Sequence, residues 1–283
     1  MSSATITVGN VTITAVSDGG GEFPIKLSQV FAAVPAEAWH PVRQRYPHVF
    51  AGPDIWQIEF NSFLVQSRDA TILVDTGIGE RKIPLLGDAG GKLMDNLRAN
   101  AIGPADIDTV FMTHLHLDHV GWNLTPDGKP TFPKARYVVH EADWTDFHRP
   151  EQLSGMMGAH IPRTVTPLES LGVLDLLSGE KALTAEVTAI STPGHTPGHM
   201  SLLISSGGEK ALITGDSMGH VAQVTEPGWC EVFDSDKQLG QRTREQLLDR
   251  IEAEGMKVAA GHFPGPGFGK IMRLEGKRYW QAL

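Results

Sequence analysis

The chain has very little cysteine and no long apolar run. Only one of its 283 residues is a cysteine, Cys230, which excludes a disulfide within the chain and fits a reducing compartment. No stretch approaches the ~18–20 consecutive apolar residues of a membrane span. The N-terminus also lacks the basic region and apolar core of a signal peptide. We therefore expect a cytoplasmic protein with no membrane partner.

Basic residues are outnumbered by acidic ones. The 24 Lys and Arg against 33 Asp and Glu give a net charge of −9, which argues against a nucleic-acid partner because phosphate binding needs a basic surface. The hydrophobic content of 41% and the charged content of 20% are ordinary for a globular protein. Without repeats or low-complexity segments, residues 1–283 are expected to form a single domain.

Strand and helix patterns alternate along the chain. Residues 4–17 predict a β-hairpin around Gly9-Asn10. Residues 18–53 are rich in Gly, Pro and aromatics, and we predict an irregular lid loop there, because long loops in compact domains are usually functional. Residues 141–182 predict a mostly helical excursion, and Asp234 or Asp236 would cap a helix over about 237–254.

The most specific feature is a run of metal-binding side chains at 114–119, His-Leu-His-Leu-Asp-His. Imidazole nitrogens and carboxylate oxygens are the ligands that Zn²⁺ prefers. The apolar residues just before the run predict a strand, so His114 and His116 would project to one side. We expect these two histidines to serve one cation, and Asp118 and His119 to serve a second.

Three further candidate ligands stand where predicted strands or turns end. They are His199 in Thr-Pro-Gly-His-Thr-Pro-Gly-His, Asp216 after Ala-Leu-Ile-Thr-Gly, and His262 after Met-Lys-Val-Ala-Ala-Gly. Active sites collect at such positions because rigid strands hold the loops that carry the chemistry. Two cations that share a bridge need about six or seven protein groups, and this set completes that number.

These motifs, in this order, resemble the metallo-β-lactamase superfamily from about Ile55 to Phe268. The resemblance implies an α/β fold, a four-layer αββα sandwich, with a dinuclear centre along one edge. It implies two divalent ions, Zn²⁺ first, with Fe, Mn or Co as alternatives. Its implied ligands are His114, His116 and His199 for one ion, Asp118, His119 and His262 for the other, and Asp216 as the bridge.

Other residues are expected to support this centre. The resemblance implies that Asp75 buttresses a ligand histidine, since a ligating imidazole usually donates its other N–H to a carboxylate; alternatively it is a turn residue. We expect His195 to stabilise the turn or to support a ligand. Asp118 would orient a hydroxide or pass a proton. His220 would contact a substrate oxygen, or else it is a surface histidine.

The substrate pocket is expected to be apolar. Phe23, Trp122, Met218 and Phe263 fall near the metal motifs or in the predicted lid, where they would suit a hydrophobic ester or lactone. The alternative for each is core packing. If the chain assembles, a homodimer with C2 symmetry is the commonest arrangement.

The implied reaction is hydrolysis by a hydroxide held between two cations. Because it has both His119 and Asp216, the chain resembles the lactonase and methyl-parathion-hydrolase-like branch. This resemblance implies opening of lactones or cleavage of esters, with arylesterase or phosphotriesterase activity as further possibilities. Gly219 stands where the best-known acyl-homoserine lactonases carry a tyrosine. The alternatives are a main activity on organophosphate triesters, or a metal-binding protein without turnover.

Overall fold

Two β-sheets face each other and are covered on their outer sides by helices. The computed structural model describes residues 4–80 and 89–283. The strands of the first sheet, within the described residues, are β1 (Thr5–Val8), β2 (Val11–Glu22), β3 (Phe50–Gly52), β4 (Ile55–Gln66), β5 (Thr71–Val74), β6 (Thr109–Phe111), β7 (Arg136–His140) and β8 (Leu174–Leu177). Those of the second are β9 (Lys181–Ala182), β10 (Val187–Ser191), β11 (Met200–Ser206), β12 (Glu209–Ile213), β13 (Lys257–Ala259), β14 (Phe268–Leu274) and β15 (Lys277–Ala282).

Helices form the outer layers. In the described ranges they are α1 (Leu27–Val30), α2 (His40–Arg45), α3 (Leu93–Ala99), α4 (Glu141–Phe147), α5 (Pro150–Ser154), α6 (Ile161–Thr164), α7 (Pro167–Ser170), α8 (Ala222–Thr225) and α9 (Lys237–Glu254). Asp236 caps α9, since its carboxylate accepts a hydrogen bond from Leu239 N at 2.9 Å. None of these helices combines the length and apolar character that crossing a membrane requires.

Three apolar clusters separate the layers. The middle cluster joins the two sheets, for example through Phe63 and Val74 of the first and Ile204 and Ile213 of the second. A second cluster packs α3, α4, α6 and α7 on the outer face of the first sheet. The third packs α8 and α9 on the second sheet. Strands with apolar side chains on both faces need cover on both sides, so the predicted four-layer αββα fold is confirmed.

The prediction of an irregular loop at 18–53 was wrong. Residues 18–22 continue β2, and the segment beyond contains α1, α2 and β3. Its apolar side chains, such as Leu27, Val30 and Trp39, are buried in the core, and this burial offsets the cost of ordering the backbone. The helical excursion predicted over 141–182 ends at α7, because β8 and β9 follow it. A lid role for 18–53 remains a prediction.

Strand direction places the chemistry-bearing loops together. β5 runs parallel to β6 in the first sheet, and β12 runs parallel to β13 in the second. Parallel neighbours end at the same sheet edge, so the loops after these strands converge. Those loops carry Asp75, the run 114–119, Asp216 and His262.

Candidate metal centre

The run 114–119 folds into a tight turn after β6. The backbone N–H of His119 donates to the carbonyl of His116 at 3.1 Å, which turns the second half of the run back toward the first. Nε2 of His114 lies 3.0 Å from Nδ1 of His116, and both side chains are buried. Asp118 Oδ2 lies 3.7 Å from His119 Nε2. The turn thus presents two adjacent pairs of potential ligands.

Asp216 lies between these pairs. One carboxylate oxygen, Oδ2, faces several imidazole nitrogens at short range. The Nε2 atoms around it belong to His262 at 3.1 Å, His119 at 3.3 Å, His195 at 3.6 Å and His114 at 3.8 Å. A single carboxylate that reaches both groups of imidazoles has the geometry of a bridging ligand.

His195, and not His199, completes the first group. His195 Nε2 lies 2.9 Å from His116 Nδ1, and the ligand atoms of His114, His116 and His195 all lie within 4.8 Å of one another. Both ring nitrogens of His199 are engaged: Nε2 accepts from Asp216 N at 2.9 Å, and Nδ1 lies 2.8 Å from Thr192 Oγ1. The assignment of His199 as a ligand, and of His195 as its support, is therefore corrected.

Close packing against α9 fixes this turn. Gly194 has φ +133°, and a Cβ there would lie 2.3 Å from the backbone of Gly240 in α9, so a side chain would push the turn off the helix. Ser235 N donates to the carbonyl of His195 at 3.0 Å, and Asp236 N donates to that of Gly194 at 2.9 Å. These contacts hold His195 toward the centre.

A buried carboxylate supports His195 from behind. Asp234 Oδ1 lies 2.9 Å from His195 Nδ1, and Asp234 Oδ2 lies 3.5 Å from Nη2 of the fully buried Arg244. Arg244 Nε also donates to the carbonyl of Ser217 at 2.8 Å, directly after Asp216. A carboxylate on the far nitrogen orients a ligating imidazole. The sequence pattern predicts only a helix cap at Asp234, so its contact with His195 was missed.

Asp75 supports His119 in the same way. Its Oδ2 lies 2.9 Å from His119 Nδ1, while Oδ1 accepts from Thr113 N at 2.8 Å. Asp75 has φ +60°, a backbone conformation that costs energy for a residue other than glycine. Hydrogen bonds from the backbone N–H and the hydroxyl of Thr113, directly before the run, hold the carboxylate, which stays aimed at His119.

Charge and burial divide the imidazoles into two kinds. Burial, followed by the nearby His119, lowers the pKa of His114 well below its usual value, and burial likewise lowers the pKa of His116. Burial acts in the same direction on His262, but the charge of Asp216 outweighs it and raises the pKa of His262 to about 9. Asp216 and Asp118 also raise the pKa of His119 despite its burial. The carboxylates thus favour a proton on His119 and His262, whereas burial disfavours one on His114 and His116.

The donor set fits divalent cations. His119 Nε2 and Asp216 Oδ1 are buried and have no hydrogen-bond partner among the described residues. Such atoms are rare in folded proteins and call for a ligand. Three groups of side chains bring their ligand atoms within 4.8 Å of one another: His114, His116 and His195; His114, His119 and Asp216; and Asp118, His119 and His262. Imidazole and carboxylate ligands in this arrangement suit Zn²⁺ and similar ions.

A cavity opens beside this cluster, and its walls are mainly apolar. Trp56 and Ile58 come from β4, while Phe233 and Met157 come from loops. The described lining residues are Phe23, Trp56, Ile58, His116, Leu117, Asp118, Met157, Asp216, Glu231, Phe233 and His262. Among the four aromatic and Met side chains predicted for the pocket, Phe23 lines it. Strand alternation along β4, which places Trp56 and Ile58 on one face, was a usable signal for two walls that were missed.

The other three predicted pocket residues lie elsewhere. Met218 and Phe263 are buried in the cluster outside the second sheet, where Phe263 packs edge-on against Trp280 at 4.8 Å. Trp122 donates from Nε1 to the buried Asp18 at 2.9 Å. The prediction that these three residues line the substrate pocket was wrong. Met218 and Phe263 pack in the core, and Trp122 contacts Asp18.

His220 is neither a surface residue nor a lining residue of this cavity. Its ring is buried in a box of aromatic side chains, and its Nδ1 accepts a hydrogen bond from Ala222 N at 3.0 Å. Burial lowers its pKa to about 3. The rings around it are those of Phe31, Trp39, Phe50 and Trp56. The ring is buried and Trp56 lies on the cavity wall, so the alternative of a surface histidine was wrong, and a contact between His220 and a substrate oxygen stays a prediction.

The fold and the clustered imidazoles define the class of protein. The family model of the metallo-beta-lactamase superfamily matches residues 61–267. The chain belongs to this superfamily.

Relatives cover much of the chain. It is 27% identical to the uncharacterized protein YobT of Bacillus subtilis (strain 168) over 249 residues, which are 81% of this chain and 94% of YobT. It is 27% identical to the N-acyl homoserine lactonase AttM of Rhizobium radiobacter over 183 residues, which are 60% of this chain and 64% of AttM.

Solved structures show the same architecture over the whole length. The hydrolase AbOPH of the beta lactamase superfamily has a TM-score of 0.87 at 25% identity, covering 100% of this chain and 97% of its own. AidC, described as a dizinc quorum-quenching lactonase, has a TM-score of 0.86 at 21% identity, covering 99% and 97%. At 21% identity, AidC supports the fold alone.

Proposed function

We propose that this protein is a dinuclear metal-dependent hydrolase that opens the ring of hydrophobic lactones. The observation that carries the proposal is Asp216 Oδ2, which lies within 3.8 Å of imidazole nitrogens from both ligand groups, next to an apolar cavity. The named function of AttM agrees with a lactone substrate.

The chain's residues have distinct tasks in this proposal. One cation would be held by His114, His116 and His195, and the second by Asp118, His119 and His262. Asp216 would contact both cations. When bound at these residues, two divalent cations would lower the pKa of a water molecule and make the substrate carbonyl more electrophilic.

The cavity residues would do the rest. Asp118 lines the cavity and its side chain is 18% exposed, so it can exchange protons with solvent and receive the proton lost by the attacking water. Phe23, Trp56 and Phe233 would bury the hydrophobic part of the substrate and exclude water around the ring. No serine or cysteine nucleophile is needed.

A panel assay tests the proposal. Protein loaded with Zn²⁺, Mn²⁺ or Co²⁺ is offered γ-lactones, p-nitrophenyl esters, paraoxon and a β-lactam. We expect the lactones to be cleaved fastest. His116→Ala should lower that rate by more than about a hundredfold, since loss of an outer partner alone costs roughly 10–100-fold. Fully loaded protein that cleaves no member of the panel would leave the metal-binding protein without turnover as the better description.

The same panel separates the neighbouring activities. Aryl esters and phosphotriesters have electrophilic centres that the same two cations could activate, and the apolar walls do not discriminate against them. If paraoxon or the aryl ester exceeds every lactone in kcat/KM, the main activity is esterase or phosphotriesterase and the lactone proposal is wrong.

A further inference from the structure

A buried carboxyl group behind the metal centre has no task in the proposed reaction. Asp143 lies in α4, one of the helices on the outer face of the first sheet, and its side chain is fully buried. Its Oδ2 accepts a hydrogen bond from Thr196 Oγ1 at 2.8 Å, and its Oδ1 accepts one from Gly198 N at 2.6 Å. Asp143 therefore links this helix to the turn of the second sheet that carries His195.

The middle of the turn has few other attachments. The carbonyl of Thr196 closes the turn on itself, because it accepts a hydrogen bond from Gly194 N at 3.0 Å. Pro197 has no N–H to donate. Among the described residues, the hydrogen bonds that join 196–198 to other parts of the chain both end on Asp143. The position of this stretch therefore depends on one side chain.

The turn packs closely against α4 but has open space beside it. A Cβ on Gly198 would lie 2.5 Å from Asp143 N and 2.9 Å from Asp143 Oδ1, so only glycine lets the backbone approach the helix this closely. A cavity of about 150 Å³ borders the same turn, and Thr196, Pro197 and His195 are among its lining residues. Because this space gives the turn room to shift, the bonds to Asp143 hold it against α4.

The link depends on hydrogen bonds and not on charge. Burial raises the pKa of Asp143 to about 7, although its hydrogen bonds act in the opposite direction. A neutral carboxyl group keeps an acceptor oxygen for Gly198 N, and the hydroxyl of Thr196 can accept a hydrogen bond as well as donate one. Both bonds therefore survive protonation. Asp234 differs, because its charge pairs with that of Arg244.

We propose that Asp143 is a positioning residue for the first cation, since it holds the turn in the place where His195 Nε2 meets the ligand atoms of His114 and His116. Metal–ligand distances vary by only about 0.2 Å, so a small shift of the turn would weaken the bond to His195. This inference rests on the two-cation centre of the proposed function.

Zn²⁺ binding to the full chain, measured by chelator competition, tests this role. Asp143→Leu has a similar size but cannot accept a hydrogen bond. It should lower the affinity for one of the two Zn²⁺ ions by about 10–100-fold, the usual cost of an outer partner, and leave the other within about threefold. Asp143→Asn should bind both ions within about threefold of the wild type, because its oxygen accepts from Gly198 N and its NH₂ group donates to the Thr196 hydroxyl.

A milder variant keeps the test valid if Asp143→Leu does not fold. Thr196→Val conserves the shape of the side chain and removes one of the two bonds. It should lower the affinity for the same Zn²⁺ ion by about three- to tenfold, the size of one hydrogen bond.

Two further variants separate positioning from a general loss of stability. In the His195→Ala background, the remaining Zn²⁺ ion should bind equally well with Asp or Leu at position 143, because Asp143 acts through His195. Leu168→Ala removes buried apolar volume from α7 in the same helix layer and should leave both Zn²⁺ affinities of the folded protein unchanged. A comparable loss in Leu168→Ala, or a further loss in the double variant, would show that Asp143 only supports the fold.

The visible absorption of Co²⁺-loaded protein gives an independent check. The spectrum of Asp143→Leu should differ from that of the wild type, because the position of one imidazole ligand changes, and Asp143→Asn should match the wild type. The inference is overturned if the wild type binds no Zn²⁺, if Asp143→Leu and Thr196→Val both bind it as the wild type does, or if Asp143→Asn loses as much affinity as Asp143→Leu. These measurements contain no substrate. If the expected affinities are found and no lactone is cleaved, only the lactonase proposal fails.

Discussion

The two halves of the candidate metal centre are built in different ways. In the first half, four potential ligands come from one six-residue turn after β6. In the second half, His195, Asp216 and His262 come from three separate segments that follow strands of the second sheet. The first half therefore depends on local chain geometry, whereas the second depends on the packing that brings distant segments together.

Both supporting carboxylates are distant in sequence from the histidines that they contact. Asp75, which supports the first half, lies 44 residues from His119 and is tied to Thr113 directly before the run. Asp234, which supports the second, lies 39 residues from His195 and is itself held by Arg244 from α9. Because the ligands of the second half come from three segments and its supporting carboxylate also contacts Arg244, we infer that this half is the more easily disturbed by changes away from the ligands.

The largest effect is expected from alanine substitutions at the two histidines of the 192–199 turn, because only one of them is assigned as a metal ligand. His195→Ala should lower lactone hydrolysis by more than about a hundredfold and remove about one metal per chain, because it deletes a ligand. His199→Ala should instead keep both metals and lower the free energy of unfolding by about 1–3 kcal/mol, since it leaves the buried N–H of Asp216 without an acceptor.

Metal analysis and thermal unfolding of the same two variants check this prediction. His199→Gln, which retains an acceptor, should recover part of the lost stability. Loss of a metal from His199→Ala together with full loading of His195→Ala would show that the original assignment of His199 was right.

A smaller effect is expected when the support, and not the ligand, is changed. Asp234→Asn keeps the shape but removes the charge that orients His195 and pairs with Arg244. We expect a loss of roughly 10–100-fold in metal affinity or activity, the usual cost of an outer partner. The matched control is Asp69→Asn, which changes an exposed aspartate. Chelator competition measures the affinity, and an affinity equal to that of the wild type would contradict the supporting role.

The two kinds of histidine also predict how metal binding depends on pH. The pKa of His119 is raised and that of His262 is raised to about 9, whereas the pKa values of His114 and His116 are lowered, so we expect protons to compete with metal at His119 and His262. Metal must displace the protons from the first two. Affinity should thus rise by about tenfold per pH unit for each displaced proton and level off above about pH 9.

Calorimetry in two buffers of different ionisation enthalpy counts the protons released. We expect net proton release at pH 7. Loading without proton release would mean that His119 and His262 are neutral before the metal arrives.

The contrast between the two halves of the metal centre also explains which parts of the site the sequence could predict. The run 114–119 is local, so strand periodicity places its side chains without knowledge of the rest of the chain. Asp216 and His262 each follow an apolar strand, which is also a local signal. The choice between His195 and His199 depends on how the turn packs against Gly240 of α9, a contact that no spacing reveals. The pocket walls could not be predicted for the same reason. Met218 and Phe263 are apolar enough to line a pocket or to pack in the core, and in the structure both pack in the core.

The smallest effect on catalysis is expected at His220, which tests whether a buried histidine beside the cavity is part of the chemistry at all. The aromatic box of Phe31, Trp39, Phe50 and Trp56 encloses its ring. His220→Leu should leave kcat/KM for a lactone within about threefold, while the free energy of unfolding falls by roughly 1 kcal/mol because Ala222 N loses its acceptor. Steady-state kinetics and denaturant unfolding measure both quantities. A loss of kcat beyond tenfold with an unchanged metal content would show that His220 takes part in the reaction and that the active site extends behind Trp56.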